Sequence, residues 1–110
     1  MKKQTGEVAI SKDVYRAVAK RDSFDGWPCC IWCGKPAPTE NPLAYANAHY
    51  IPRSLGGLGI EENILNLCFR CHYKYDRTTS REEMRAFFEN HLRRHYKNWD
   101  EENLIYRKDM

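Results

Sequence analysis

The stretch that decides the fold reads Ala48-His49-Tyr50-Ile51-Pro52-Arg53-Ser54-Leu55-Gly56-Gly57-Leu58-Gly59-Ile60-Glu61-Glu62-Asn63-Ile64-Leu65-Asn66-Leu67-Cys68 and runs on through Cys71-His72 to Tyr75-Asp76. Ala44 to Ile51 reads as a strand, closed by Pro52, which has no N–H to donate to a ladder. Ser54 to Gly59 reads as a flexible loop, Ile64 to Leu67 as a second strand and Phe69 to Tyr75 as a short helix. Taken singly, the polar residues here say little. His49 alone fits a satisfied polar residue of a core, and Asn63 alone fits a turn or a helix cap. His72, beside Cys71, fits a competing zinc ligand. The joint spacing is what carries information.

Two cysteine pairs bracket this stretch. Cys30-x-x-Cys33 and Cys68-x-x-Cys71 each present two sulfurs on one side of a tight knuckle, as tetrahedral zinc requires at a bond length of about 2.3 Å. The chain has five cysteines in all. Cys29 is left over, and the two-residue gap favours Cys30 over it as a ligand. A thioredoxin-like strand-to-helix context, which a redox pair needs, is missing. The expectation is a structural zinc site of Cys30, Cys33, Cys68 and Cys71, with a long insertion between its halves that holds the histidine and asparagine.

With these residues in place, the chain resembles the HNH endonuclease family (His-Me finger, ββα-metal), and within it the small phage-type members with cysteine knuckles. The resemblance covers residues 30–77 closely and the flanking helices more loosely. It implies an α+β fold: a small ββα-metal finger with a four-cysteine zinc site, flanked by an N-terminal helix and a longer C-terminal helix. It implies that His49 is the general base, that Asn63 pins the loop orienting His49, and that His72 and Asp76 hold a catalytic divalent ion. Hydrolysis of DNA would then leave a 5′-phosphate and a 3′-hydroxyl.

The chemistry is coherent on its own terms. A neutral imidazole with a pKa of about 6.5 accepts a proton from water near neutral pH. His72 and Asp76, four residues apart, share one helix face. A cation between them would stabilise charge on the phosphoryl oxygens and the departing 3′ oxygen. The mixed nitrogen and oxygen donors suit Mg²⁺, Mn²⁺, Ni²⁺ or Zn²⁺. One position departs from the family pattern. Many members carry an acidic residue or histidine just before the general base, as a third metal ligand, and here that residue is Ala48. The shell is left to water and substrate phosphate, or to Asn47 through a shifted strand.

Outward from this centre, Ser11 and Asp13 open an amphipathic helix that ends near Asp22, and Asp25-Gly26-Trp27-Pro28 breaks it. Residues 1–10 read as a frayed or loosely docked arm. Ser80 and Glu83 form a capping-box signature. Behind it Met84, Phe87, Phe88, His91, Leu92, His95 and Tyr96 follow a helical stripe. His91 and His95 have no evident third ligand, so the stripe reads as a packing face. Trp99, Leu104, Ile105 and Tyr106 are enough for the tail to fold back. The length of 110 residues supports a single domain, residues 1–110.

Eighteen Lys and Arg against fifteen Asp and Glu give a net charge of +3, which permits a polyanionic partner without requiring one. Arg53, Arg70, Lys74, Arg77 and Arg81 lie near the centre in sequence, as phosphate contacts with little base information. The reading is double-stranded DNA as partner, with a phage packaging (terminase) protein as a second one, and a monomer or homodimer. No apolar run is long enough for a membrane span, and the first residues lack the core of a signal peptide, so the expected location is cytoplasmic. A rival class keeps the fold but not the reaction: a zinc-stabilised DNA-binding or protein-interaction module whose active site has decayed, a reading that Ala48 sustains.

Overall fold

Ser11 is extended and accepts a hydrogen bond from the Val14 amide at 3.2 Å, and from that cap helix α1 (Lys12–Arg21) runs with Asp13 in its first turn and Lys20 and Arg21 in its last. This agrees with a capped helix ordered by its own dipole. The computed structural model describes residues 8–39, 45 and 47–106. The first seven residues of the expected arm, together with Pro42 and Ala44, lie outside the described residues. Val8 is no frayed end: it is buried, and its carbonyl meets the His49 ring.

Strands β1 (Ser23–Phe24) and β2 (Trp27–Pro28) pair antiparallel straight after α1. Asp25 (φ 54°) and Gly26 (φ 81°) both take left-handed backbone between them. That is the two-residue turn whose twist matches a hairpin, which Asp-Gly favours. The sequence shows a break here; the fold makes it a small sheet. The first cysteine knuckle follows. The Gly34 amide donates to the Cys30 carbonyl at 2.9 Å, and the Ile31 amide donates to the Asn66 carbonyl at 3.1 Å, which ties the knuckle to the next sheet.

That sheet is the core of the fold. Strands β3 (Asn47–His49) and β4 (Ile64–Asn66) pair antiparallel, with Asn47 opposite Asn66, Ala48 opposite Leu65 and His49 opposite Ile64. Ala48 and Leu65 thus share one face, and both are fully buried. Helix α2 (Phe69–Arg77) starts at the second knuckle and helix α3 (Arg81–His95) packs against it. Tyr50, Tyr75, Met84, Phe88 and Leu92 fill the interior, with the Tyr75 and Phe88 rings edge-on at 5.0 Å. Each such side chain contributes on the order of 1.5–3 kcal/mol on burial.

Two local expectations need correction. The capping box at Ser80 and Glu83 does not form: Ser80 itself has helical backbone (φ −70°, ψ −8°), and its hydroxyl caps nothing. An N-cap must be extended to aim its oxygen back at the helix amides. Thr78 takes the role instead, accepting from the Ser80 amide at 3.2 Å. The glycine-rich loop is packed rather than loose. A Cβ on Gly57 would sit 1.8 Å from the Ile51 carbonyl oxygen, and one on Gly59 would sit 2.0 Å from that of Ala9. These glycines admit close backbone approach. The tail seals the same loop, as the Leu58 amide donates to the Leu104 carbonyl and the Tyr106 amide to the Gly56 carbonyl, each at 2.7 Å. Trp99 and Leu104 are buried, so the tail does fold back. No described helix is long and apolar enough to cross a membrane.

Candidate functional site

The two knuckles meet. The sulfurs of Cys30, Cys33, Cys68 and Cys71 all lie within 4.8 Å of one another, and Cys33 and Cys68 are 3.8 Å apart. Four ligands held tetrahedrally at about 2.3 Å have edges of about 3.8 Å, so this cluster has the dimensions to hold a metal such as zinc. Burial and the neighbouring thiols push the Cys71 thiol well above its ordinary range. Ionising the Cys71 sulfur in this cluster therefore calls for a cation beside it. Cys29 stands outside the cluster, with its thiol against the Trp27 carbonyl.

Beyond the knuckles, a cleft of about 970 Å³ opens between the end of β3, the turn at Arg53–Leu55, one flank of α2 and the tail. His49, His72 and Asp76 all line it. The Nε2 atom of His49 lies 2.8 Å from the Val8 carbonyl oxygen. A carbonyl can only accept, so Nε2 carries the hydrogen and Nδ1 keeps a free lone pair. Burial lowers the His49 pKa below the ordinary imidazole range; the Val8 carbonyl and Asp76 oppose this, while Arg53 and His72 reinforce it. The ring is neutral at pH 7.

Asn63 fixes the backbone beside that histidine. It is fully buried. Its Oδ1 accepts from the Ile51 amide at 2.8 Å, and its Nδ2 donates to the carbonyls of Ile51 (3.2 Å) and Leu58 (2.9 Å). The Tyr50 amide donates to the Asn63 carbonyl at 2.7 Å. One side chain thus joins the segment leaving β3 to the far end of the glycine loop.

On α2, His72 Nε2 and Asp76 Oδ2 are 3.0 Å apart and partly exposed. That distance suits an ordinary i,i+4 ion pair. It also equals the spacing of two adjacent ligands on an octahedral ion at about 2.1 Å, so the donors fit a hard divalent cation. His49 does not join them in a three-residue cluster within 4.8 Å. A gap therefore separates the imidazole from the His72–Asp76 pair. Ala48 pairs with Leu65 and is fully buried, and Asn47 and His49 on either side of it line the cleft. Asn47 is buried in the cleft wall, and both of its amide atoms lack a hydrogen-bond partner.

The cations divide between the two flanks of α2. Arg53 and Arg77 line the cleft, whereas Arg70 and Lys74 line a separate groove with Trp32, Lys35, Pro36 and Phe69. Arg81, also in the cleft, donates to the Tyr75 carbonyl at 2.9 Å. Arg85, Glu101 and Glu102 complete the wall, and Arg85 is 3.2 Å from both Glu101 and the Tyr50 hydroxyl. The tail's apolar residues announce that it packs back but not where, so Glu101 and Glu102, and the Val8 carbonyl, are not readable from the sequence.

His91 and His95 do gain a third neighbour, Asp22, with ligand atoms within 4.8 Å. Its carboxylate is already saturated. Oδ1 takes Arg21 Nε and His91 Nε2, each at 2.8 Å, and Oδ2 takes Arg21 Nη2 at 2.8 Å and the Asn66 amide at 3.1 Å. Arg21 reaches on to the carbonyls of Glu61 and Ile64. Although burial opposes ionisation, the bonds from Arg21 and His91 hold the Asp22 carboxyl below its usual range. This network ties α1, β4 and α3 together and leaves no lone pair facing outward for an ion.

Residues 30–97, more than half of the chain, match the model of a family described as HNH endonuclease. The match runs past the closely resembling stretch and takes in helix α3. No curated protein matches the chain.

Proposed function

The chain belongs to the HNH endonuclease family, and on that footing we propose that it is a metal-dependent endonuclease that hydrolyses phosphodiester bonds of double-stranded DNA, with zinc in its cysteine cluster. One observation carries this reading: His49, His72 and Asp76 line a single cleft, and His49 has one ring nitrogen committed to a backbone carbonyl and the other free.

In this reading Nδ1 of His49 takes the proton from the attacking water, and the Val8 carbonyl keeps the imidazole in the required tautomer. Asn63 holds the backbone after His49, so the ring does not drift from the phosphate. His72 and Asp76 would hold a divalent ion such as Mg²⁺, Mn²⁺, Ni²⁺ or Zn²⁺, which when bound stabilises the negative charge of the transition state. Arg53 and Arg77 bind flanking phosphates. The four cysteines position the start of α2 relative to the hairpin.

Incubating supercoiled plasmid with the zinc-loaded protein, with and without added Mg²⁺ or Mn²⁺, tests this. Metal-dependent nicking or linearisation that His49→Ala abolishes is the expected result. Absence of cutting with every ion would favour the second reading, a zinc-stabilised DNA-binding module with a decayed site. Ala48, which leaves only two protein ligands for the ion, is the observation behind that alternative.

A further inference from the structure

The nine residues of α2 sort by angle. A helix advances about 100° per residue, so Cys71 and Tyr75 fall together toward the core, where both are buried. His72 and Asp76 come next and face the cleft. Phe69 and Tyr73 follow, then Arg77, Arg70 and Lys74. The aromatic pair therefore sits between the cleft and the basic stripe. Phe69 is 77% exposed and Tyr73 is 60% exposed. Single exposed aromatics such as Phe24 are common on protein surfaces. Two of them one turn apart, between the candidate ion ligands of the cleft and the Arg70 and Lys74 cations of the far groove, form an ordered surface. The groove on the far flank adds Lys35 and Trp32, and no carboxylate lines it among the described residues.

We propose that Phe69 and Tyr73 form a base-stacking contact for the DNA strand that passes from the cleft to the basic stripe, so that the protein favours DNA with unpaired bases next to the target phosphate. This rests on the nuclease reading of the same cleft. A strand with one phosphate at His72 and Asp76 and others at Arg70 and Lys74 has to cross the two rings. Paired bases in a continuous duplex keep their faces stacked on each other, whereas a bubble, flap or nick frees a π-face for an aromatic side chain. The cations supply attraction without selectivity. The rings supply the selectivity.

Binding by fluorescence anisotropy without added divalent ion tests the proposal, using a labelled duplex and the same duplex with a short central bubble. The wild-type chain is expected to bind the bubble about tenfold more tightly, and the double variant Phe69→Ala/Tyr73→Ala to lose that preference while its duplex affinity changes by less than about twofold. Arg70→Ala/Lys74→Ala is expected to weaken both substrates alike and to flatten the salt dependence. Zinc content and circular dichroism confirm that the variants are folded, since exposed rings contribute little to the core. Equal binding of both substrates by the wild type, or an aromatic variant that retains the preference, would overturn the proposal. The binding readout is independent of cutting, so a chain that prefers the bubble yet cleaves nothing would refute the nuclease reading and leave this surface standing.

Discussion

At the scale of single residues, the proposed mechanism makes His49 the source of the pH response. Its imidazole must be neutral to accept a proton, and burial lowers its pKa. The cleavage rate should therefore rise with pH, reach half its plateau below about 6.5 and stay flat above. A pH profile of kcat/KM at saturating metal checks this, and a midpoint above about 7 would contradict it. Asn63 serves geometry rather than proton transfer. Asn63→Ala would strip partners from a buried amide and leave two carbonyls without their donor. A loss of about 3 kcal/mol or more is expected, read from the urea midpoint at unchanged slope. Both residues are visible in the sequence as members of a spaced set. What sets the His49 tautomer is not, because the Val8 carbonyl belongs to backbone, and no side-chain pattern records where a distant carbonyl points.

At the scale of elements, the cysteine knuckles and the paired strands β3 and β4 are the most legible parts. Spacing alone identifies four sulfurs as a set and favours Cys30 over Cys29, and the structure gathers those four. Cys68→Ser should lose the metal and lower the melting temperature, whereas Cys29→Ser should keep both, as metal analysis and calorimetry would show. The glycine loop reads as loose, yet packs tightly, for a physical reason. Glycine serves flexible loops and tight backbone contacts equally, and only the neighbours distinguish the two uses. Gly57→Ala supplies the test: its methyl has no room beside the Ile51 carbonyl, so a fall of several kcal/mol in unfolding free energy is expected, against about 1 kcal/mol or less for a mobile site. The Ser80 cap does not form because a capping box is only a local pattern. Thr78, two residues earlier, holds the Ser80 amide instead.

At the scale of the whole molecule, the tail closes what the hairpin begins. Trp99 and Leu104 are buried, and Glu101 meets both Tyr50 and Arg85 in the cleft wall. A chain ending at Asn98 should lose a large part of its stability and, with it, cleft shape, seen as a lower melting temperature and slower cleavage by the remaining folded fraction. The sequence shows the apolar residues that make such docking favourable. It does not show which surface receives them, since that depends on non-local packing. The proposed reaction likewise depends on assembly: strand, loop and helix would bring one imidazole to face a cation held by His72 and Asp76 across a gap. A crystal grown with Mn²⁺ and read for anomalous scattering tests it most directly. The expected result is a peak bonded to His72 Nε2 and Asp76 Oδ2, with His49 across the gap and not coordinated. A peak at Asp22, His91 and His95 instead, or His49 itself bound to the ion, would contradict it.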